Sequence, residues 1–160
     1  MSLAGRVAIV TGGTRGIGRA IVDVLATAGA SVVLTGRDPA RVRETARELE
    51  ARGVQALGVV AEMGRGEDIQ RVVTTAQERF SRIDVLVNNA GITRDGLLIR
   101  MKDSDWDEVL GVNLRAAFQA LRATARVMAR QRSGRVINIT STAGAMGTAG
   151  QANYSAARRG

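Results

Sequence analysis

Glycines cluster where the first apolar segment of the chain gives way to its first amphipathic segment. Residues 6–11 form a short apolar run, and the turn that follows reads Gly12-Gly13-Thr14-Arg15-Gly16-Ile17-Gly18. Over residues 17–28, apolar side chains recur at helical spacing until Gly29 ends the pattern. Glycines let backbone amides approach a ligand closely, and a helix N-terminus attracts anions. The pattern predicts a strand, a turn able to hold a pyrophosphate, and a helix. A glycine turn without a ligand is the alternative.

The same alternation continues along the chain. Further strands are predicted at residues 31–35, 54–60, 84–88 and 135–140. Helices are predicted at residues 39–52, 67–80 and most of 104–132, and another should start near Asn153, with Asn153 as its cap. Short apolar strands separated by helices need a parallel sheet covered on both faces. We therefore predict an α/β fold, a doubly wound, Rossmann-like parallel sheet of about five strands, in one domain over residues 1–160.

Composition narrows the chemistry that this chain can perform. It has no cysteine and no histidine, which excludes disulfides, thiolate ligands and imidazole bases, so we expect no metal site. Any proton transfer must use Tyr, Asp, Glu or Lys. The apolar runs are far shorter than the roughly 20 residues that cross a bilayer, and no secretory leader precedes them. These features predict a cytoplasmic protein without a membrane partner.

The net charge of +8 raises the question of polyanionic partners. Only Lys102 among the 23 basic residues is lysine, and the arginines are spread along the whole chain. Binding of single-stranded nucleic acid also favours stacking aromatics, which number only four here: Phe80, Trp106, Phe118 and Tyr154. We therefore expect no nucleic-acid partner.

The end of the second predicted strand indicates which dinucleotide would bind. It reads Thr35-Gly36-Arg37, without the carboxylate that would accept hydrogen bonds from the adenosine ribose. Arg37 and Arg15 are placed to clamp a 2′-phosphate through charge-assisted hydrogen bonds. This arrangement favours NADP(H) over NAD(H). Asp38 is a competing carboxylate, and Arg37 as a plain exposed loop charge is the alternative.

Four polar signatures follow in a fixed order. Asn88-Asn89-Ala90-Gly91 follows the fourth strand, Asn113 lies on the next helix, Ser141 follows the fifth strand, and Tyr154 comes thirteen residues later. This set resembles the short-chain dehydrogenase/reductase family over the whole chain. Within the family, residues 91–98, 101–103, 106 and 150–154 are similar to the 3-oxoacyl-[acyl-carrier-protein] reductases. Reductases of acetoacetyl-CoA and other carbonyl or alcohol oxidoreductases are the near alternatives.

The resemblance implies a role for each polar residue. Ser141 would donate a hydrogen bond to a ketone oxygen and Tyr154 would protonate it, after hydride transfer from NADPH. A phenol, with an ordinary pKa near ~10, needs a cation to stabilise its phenolate. In the family that cation is a lysine, which also holds the nicotinamide ribose and joins the asparagine matching Asn113 in a water-mediated proton path. The alternatives are that Ser141 caps a turn, Tyr154 lies on an amphipathic helix, and Asn113 is an ordinary polar position.

Arg158 stands where the family has that lysine. A guanidinium stays charged and can bond ribose hydroxyls, but it is larger, planar and unable to shuttle a proton. We therefore expect strongly reduced turnover. Glu62-Met63 is a second departure, because the family usually has Asp and a β-branched residue beside the adenine. The cofactor-binding residues implied by the resemblance are Gly12, Thr14, Arg15, Gly16, Ile17, Gly18, Arg37, Glu62, Met63, Asn89, Ala90, Gly91, Tyr154 and Arg158.

The resemblance also bears on length and partners. Family members are considerably longer, so the chain is expected to be truncated, to lack the substrate lid and to leave its fifth strand as a sheet edge. The expected substrate is a thioester on acyl carrier protein or CoA, with Arg132 docking the carrier. A solvated face is the alternative for Arg122, Arg126, Arg130 and Arg132. The family's homotetramer is expected to be compromised. A second hypothesis is a catalytically impaired dinucleotide-binding module.

Overall fold

The computed structural model describes residues 2–159 and confirms the predicted alternation of strands and helices. The strands in this part of the chain are Val7–Val10 (β1), Ser31–Gly36 (β2), Ala56–Val60 (β3), Val85–Asn88 (β4) and Arg135–Asn138 (β5). The α-helices are Gly16–Thr27 (α1), Pro39–Ala51 (α2), Gly66–Phe80 (α3), Asp103–Leu110 (α4), Ala116–Gln131 (α5), Thr142–Met146 (α6) and Ala152–Arg159 (α7). A 3₁₀ turn, Leu98–Arg100, precedes α4.

The five strands form one parallel sheet in the order β3-β2-β1-β4-β5. The chain runs outward from β1 through β2 to β3 and then returns across β1 to β4 and β5. The connections therefore change direction at β1. In open α/β sheets, ligands bind at the carboxyl ends of the strands beside such a reversal. The predicted doubly wound sheet is confirmed.

Both faces of the sheet are covered over β1 to β4, which explains the nearly continuous apolar character of these four strands. One core cluster contains Ile9 and Leu86 with residues of α3 and α5. The other contains Val10 and Leu34 with residues of α1 and α2. Successive strand residues point to opposite faces, so Ile9 and Val10 belong to different clusters.

The long helix predicted over residues 104–132 is interrupted. A π-helical segment, Gly111–Arg115, separates α4 from α5. Such segments insert an extra residue into a helical turn and are frequent at functional sites. Here the segment carries Asn113, which is buried.

The prediction that Asn153 caps the last helix is wrong. The helix α7 begins at Ala152, and Asn153 lies within its first turn, fully buried. Its Nδ2 donates hydrogen bonds to the carbonyl oxygens of Arg94 (3.0 Å) and Asp105 (3.3 Å). Asn153 therefore ties α7 to the segment around α4. The short helix α6, which precedes α7, was not predicted.

The strand β5 lies at one edge of the sheet and pairs with β4. Its apolar residues Val136 and Ile137 are exposed, whereas the corresponding residues of β4 are buried.

None of the helices in residues 2–159 combines the length and apolar character needed to cross a bilayer.

Candidate cofactor cleft and catalytic helices

A cleft of about 660 Å³ opens at the carboxyl ends of β1, β2 and β4. It contains every residue between positions 12 and 91 that the sequence predicted to bind a cofactor. These are Gly12, Thr14, Arg15, Gly16, Ile17, Gly18, Arg37, Glu62, Met63, Asn89, Ala90 and Gly91. Residues far apart in the chain thus meet at the carboxyl ends of the strands, as the parallel arrangement requires.

The glycine turn is built for a close backbone approach. Gly12 and Gly16 have φ angles of +68° and +55°, in the left-handed region that favours glycine. A β-carbon at Gly18 would collide with the carbonyl oxygen of Gly12 and with Nδ2 of Asn89. Arg15, at the N-cap of α1, forms no capping hydrogen bond through its side chain. The first-turn N–H groups of α1 thus lack a capping side chain, which leaves them suited to an anion.

Side-chain hydrogen bonds fix the turn to the sheet. Nδ2 of Asn89 donates to the carbonyl oxygens of Thr11 (2.9 Å) and Gly12 (3.2 Å). The N–H groups of Asn89 and Ala90 both donate to Oγ1 of Thr11 at 3.0 Å. The N–H of Gly12 donates to Oγ1 of Thr35 at 3.1 Å. The end of β4 and the end of β2 therefore hold the turn in place before any ligand binds.

Two arginines lie at the cleft near the tip of β2, one from the glycine turn and one from the residue after the strand. Arg15 and Arg37 are both exposed at the cleft. Asp38, the competing carboxylate, caps α2 by accepting from the N–H groups of Ala40 (2.9 Å) and Arg41 (3.4 Å). Its carboxylate is therefore committed to the helix.

The two residues that depart from the family pattern after β3 differ in their environments. Met63 is buried, and its sulfur lies 3.8 Å from Oγ1 of Thr35. Glu62 is exposed and forms an ion pair with Arg65 at 3.2 Å. The methionine therefore contributes to the floor of the cleft, while the glutamate lies at its rim.

One wall of the cleft was not predicted from the sequence. This wall comes from α4 and the π-helical segment, and its lining residues are Asp107, Glu108, Gly111, Val112 and Arg115. Their spacing is that of one helical face, a signal that was present in the sequence. Arg65, beside Glu62, was also missed.

Asn113 holds the loop after β4 rather than facing the cleft. Its Oδ1 accepts from the N–H of Ile92 (2.8 Å), and its Nδ2 donates to the carbonyl oxygen of Ile92 (2.9 Å). Both ends of the side-chain amide are therefore used to join the π-helical segment to that loop. Its role in a proton path stays a prediction.

Ser141 and Tyr154 lie on adjoining helices. Oγ of Ser141 accepts from the N–H of Ala143 at 3.2 Å and so caps α6, which is the alternative role considered for it. Its hydroxyl hydrogen is still free to donate. The helices α6 and α7 pack together, and Oγ of Ser155 donates to the carbonyl oxygen of Ala143 at 3.0 Å.

The Arg158 guanidinium is turned toward the protein backbone. Its Nη1 donates to the carbonyl oxygen of Ile139 at 2.8 Å, and its Nη2 occupies the space that a β-carbon at Gly91 would need. Its central carbon lies 5.5 Å from the centre of the Tyr154 ring. Within residues 2–159, Nε is buried without a hydrogen-bond partner, and neither Arg158 nor Tyr154 lines the cleft. Their cofactor contacts stay a prediction.

The doubly wound parallel sheet and the glycine turn at its reversal point define a dinucleotide-binding α/β protein. The chain belongs to the short chain dehydrogenase family, whose model matches residues 6–160. Among its relatives, the 3-oxoacyl-[acyl-carrier-protein] reductase of Synechocystis is 46% identical over 160 residues, covering 99% of this chain. The 3-oxoacyl-[acyl-carrier-protein] reductase FabG of Pseudomonas aeruginosa is 44% identical and covers 100% of it.

Solved structures agree with the fold. The crystal structure of gox2181 superposes with a TM-score of 0.95 at 34% identity, covering 99% of this chain and 63% of that one. A short chain dehydrogenase/reductase from Burkholderia phymatum, in complex with NAD, gives a TM-score of 0.95 at 30% identity, covering 99% and 57%. The chain spans 65% of the length of the Synechocystis and Pseudomonas relatives.

Proposed function

We propose that this chain reduces a 3-oxoacyl thioester to a 3-hydroxyacyl thioester, as in fatty acid elongation, with NADPH as the hydride donor. The observation that carries the proposal is the glycine turn, which is fixed by Asn89 and closed to a β-carbon at Gly18. Ser141, the N-cap of α6, and Tyr154 on α7 belong to two helices that pack together. The names of the two curated relatives support the thioester substrate. We further propose a cytoplasmic protein with one domain.

Three side chains, Ser141, Tyr154 and Arg158, would act in the proposed reaction. NADPH, when bound, supplies a hydride to the ketone carbon. The hydroxyl of Ser141 donates a hydrogen bond to the ketone oxygen, and Tyr154 gives that oxygen its proton, which completes the alcohol. In this proposal Arg158, whose central guanidinium carbon lies 5.5 Å from the centre of the Tyr154 ring, takes the place of the cation beside the tyrosine.

The N–H groups of the glycine turn and the first turn of α1 would hold the pyrophosphate. Gly12, Gly18 and Asn89 form a cradle whose shape excludes side chains, which fits a ligand that approaches the backbone closely. Ala90 and Gly91 extend this cradle along the cleft. The complex of the Burkholderia phymatum relative with NAD supports a nicotinamide dinucleotide here.

The test of the function combines binding with turnover in the full chain. NADPH binding is measured by fluorescence, and NADPH oxidation is followed after adding acetoacetyl-[acyl-carrier-protein] or acetoacetyl-CoA. Binding with oxidation supports the reductase. Binding without oxidation contradicts it and supports the second candidate, a dinucleotide-binding module without turnover. The turned-in guanidinium of Arg158 is the observation that favours this second candidate.

Arg37→Ala is expected to weaken NADPH binding about tenfold and to leave NADH binding unchanged, because only NADPH carries the 2′-phosphate that a guanidinium would bond. Titration of both dinucleotides by fluorescence measures the effect. The matched control is Arg41→Ala, which removes an exposed arginine that pairs with Asp38 at 3.5 Å outside the cleft. Equal loss for NADPH and NADH would contradict a phosphate contact.

Arg132 is proposed to dock the acyl carrier protein. It is exposed at the C-terminus of α5, where its backbone has a φ angle of +52°. Arg132→Glu is expected to weaken carrier binding several-fold at low salt, with a smaller difference at high salt, because electrostatic attraction between exposed charges is screened. Surface plasmon resonance at two salt concentrations checks this. Arg43→Glu, the same charge change on α2, is the control, and an equal effect there would count against docking.

A further inference from the structure

Four exposed arginines surround the cleft: Arg15, Arg37, Arg65 and Arg115. Among residues 2–159, only Arg65 of these four lies in an ion pair, at 3.2 Å from Glu62. The other three present their charge to the cleft without a neutralising carboxylate.

Acidic residues in the cleft neutralise little of this charge. Glu108 is already bound by both ends of the Arg94 guanidinium, at 2.8 and 2.9 Å, and Arg94 comes from outside the lining. Of the three acidic residues that line the cleft, Glu62, Asp107 and Glu108, only Asp107 has no ion pair within residues 2–159. Arg15, Arg37 and Arg115 therefore line the cleft without an ion pair among residues 2–159.

The cationic rim is open at one end. A groove of about 610 Å³ adjoins the cleft there, shares Arg37 and Arg65 with it, and adds Arg71. The N–H of Glu62 and the nearby Arg71 hold the pKa of Asp68 below its usual range, so this groove residue stays charged and occupies Arg71. Arg37 and Arg65 are exposed and line both the cleft and the groove. Long, exposed arginine side chains can reach a phosphate on either of two neighbouring ribose hydroxyls.

We propose that the cleft also binds the 3′-phospho-ADP moiety of coenzyme A, so that CoA and its thioesters compete with NADPH. Coenzyme A has the same adenosine 5′-diphosphate as NADPH and differs at this end in carrying its phosphate on the 3′-hydroxyl. The glycine turn would hold its diphosphate, and Arg37 with Arg15 or Arg65 would hold its 3′-phosphate. The inference rests on the proposed function, because it places adenosine in the same part of the cleft. It adds that coenzyme A and its thioesters would regulate NADPH binding at that site.

The experiment measures displacement of NADPH from the full chain by coenzyme A and by 3′-dephospho-CoA. Coenzyme A is expected to displace NADPH competitively, with an inhibition constant at least tenfold lower than that of 3′-dephospho-CoA. Arg37→Ala should reduce this difference to less than threefold. The matched control is Arg122→Ala, which removes an exposed arginine on the side of α5 beside Phe118, outside the cleft.

Two results would overturn the inference. Equal displacement by the two ligands would show that the 3′-phosphate is not recognised, and absence of displacement while NADPH binds would refute the site and leave the proposed function intact. If NADPH itself fails to bind, the proposed cofactor is wrong. Calorimetric titration with coenzyme A and 3′-dephospho-CoA alone then decides the inference, because the same tenfold preference is required.

Discussion

Replacing Arg158 by lysine is expected to raise the kcat of NADPH-dependent thioester reduction by about 100-fold, within the range that a well-placed acid–base group contributes. In the present chain, Nη1 of Arg158 is bound to the carbonyl oxygen of Ile139 and Nη2 fills the space against Gly91. A lysine is slimmer there, carries its charge at one point and can pass a proton. The charge beside Tyr154 is kept, while the fixed contact with Ile139 is released.

The measurement is steady-state kcat and KM for the full chain with acetoacetyl-CoA, together with the NADPH dissociation constant. Arg159→Lys is the matched control, because Arg159 is the exposed neighbour on the same helix, and it should leave kcat unchanged. An effect on proton transfer raises kcat and changes its pH profile, whereas a merely structural effect changes thermal stability alone. An unchanged kcat in Arg158→Lys would refute the view that the guanidinium limits turnover.

The fold was predictable because its signals are local. Strands β1 to β4 are short apolar runs that are largely buried, and β5 keeps an apolar centre although it is exposed. Each helix shows its own periodicity, so these elements could be predicted without knowledge of distant partners. The cofactor cleft was predictable for a related reason. Parallel strands bring their carboxyl ends to one edge, and therefore the residues after β1, β2, β3 and β4 had to meet.

The features that escaped prediction depend on contacts between distant residues. Asn153 has the side chain of a good helix cap, but its actual partners are the carbonyl oxygens of Arg94 and Asp105, 59 and 48 residues earlier in the chain. The helix α6 is only five residues long and contains Gly144, so its periodicity is too brief to detect. For Arg158, the sequence shows the residue type, whereas Ile139 and Gly91 determine the direction of its guanidinium.

Asp84→Asn is expected to lower the free energy of unfolding by about 3 kcal/mol at neutral pH, because it removes the charge of a buried carboxylate that pairs with two partly exposed arginines. The Asp84 side chain is 4% exposed at the start of β4, where its carboxylate accepts from Arg82 (2.7 Å) and Arg6 (2.8 Å). It also accepts from the N–H of Val7 at 2.9 Å, which links β4 to β1. An asparagine has the same shape, but its NH2 group is a hydrogen-bond donor and would face the N–H donors of the two arginines and Val7. Urea denaturation of both proteins measures the change.

The loss should depend on pH in a defined direction. Burial raises the pKa of Asp84, but the hydrogen bonds from Arg82, Arg6 and the Val7 N–H, with the charge of Arg82, outweigh it and lower the pKa from 3.8 to about 2. A carboxyl whose pKa is lower in the folded state stabilises the fold above its unfolded pKa and loses that contribution as pH falls. The stability difference between the two proteins should therefore be full above about pH 4 and shrink by about 2 kcal/mol toward pH 2.

Asp23→Asn is the matched control. The Asp23 carboxylate also pairs with two arginines, Arg19 and Arg52, but at 36% exposure its ion pairs should contribute less than about 1 kcal/mol. If both variants lose equal stability, burial of Asp84 is not the cause, and a difference that stays constant from pH 7 to pH 2 would rule out its ionisation as the origin.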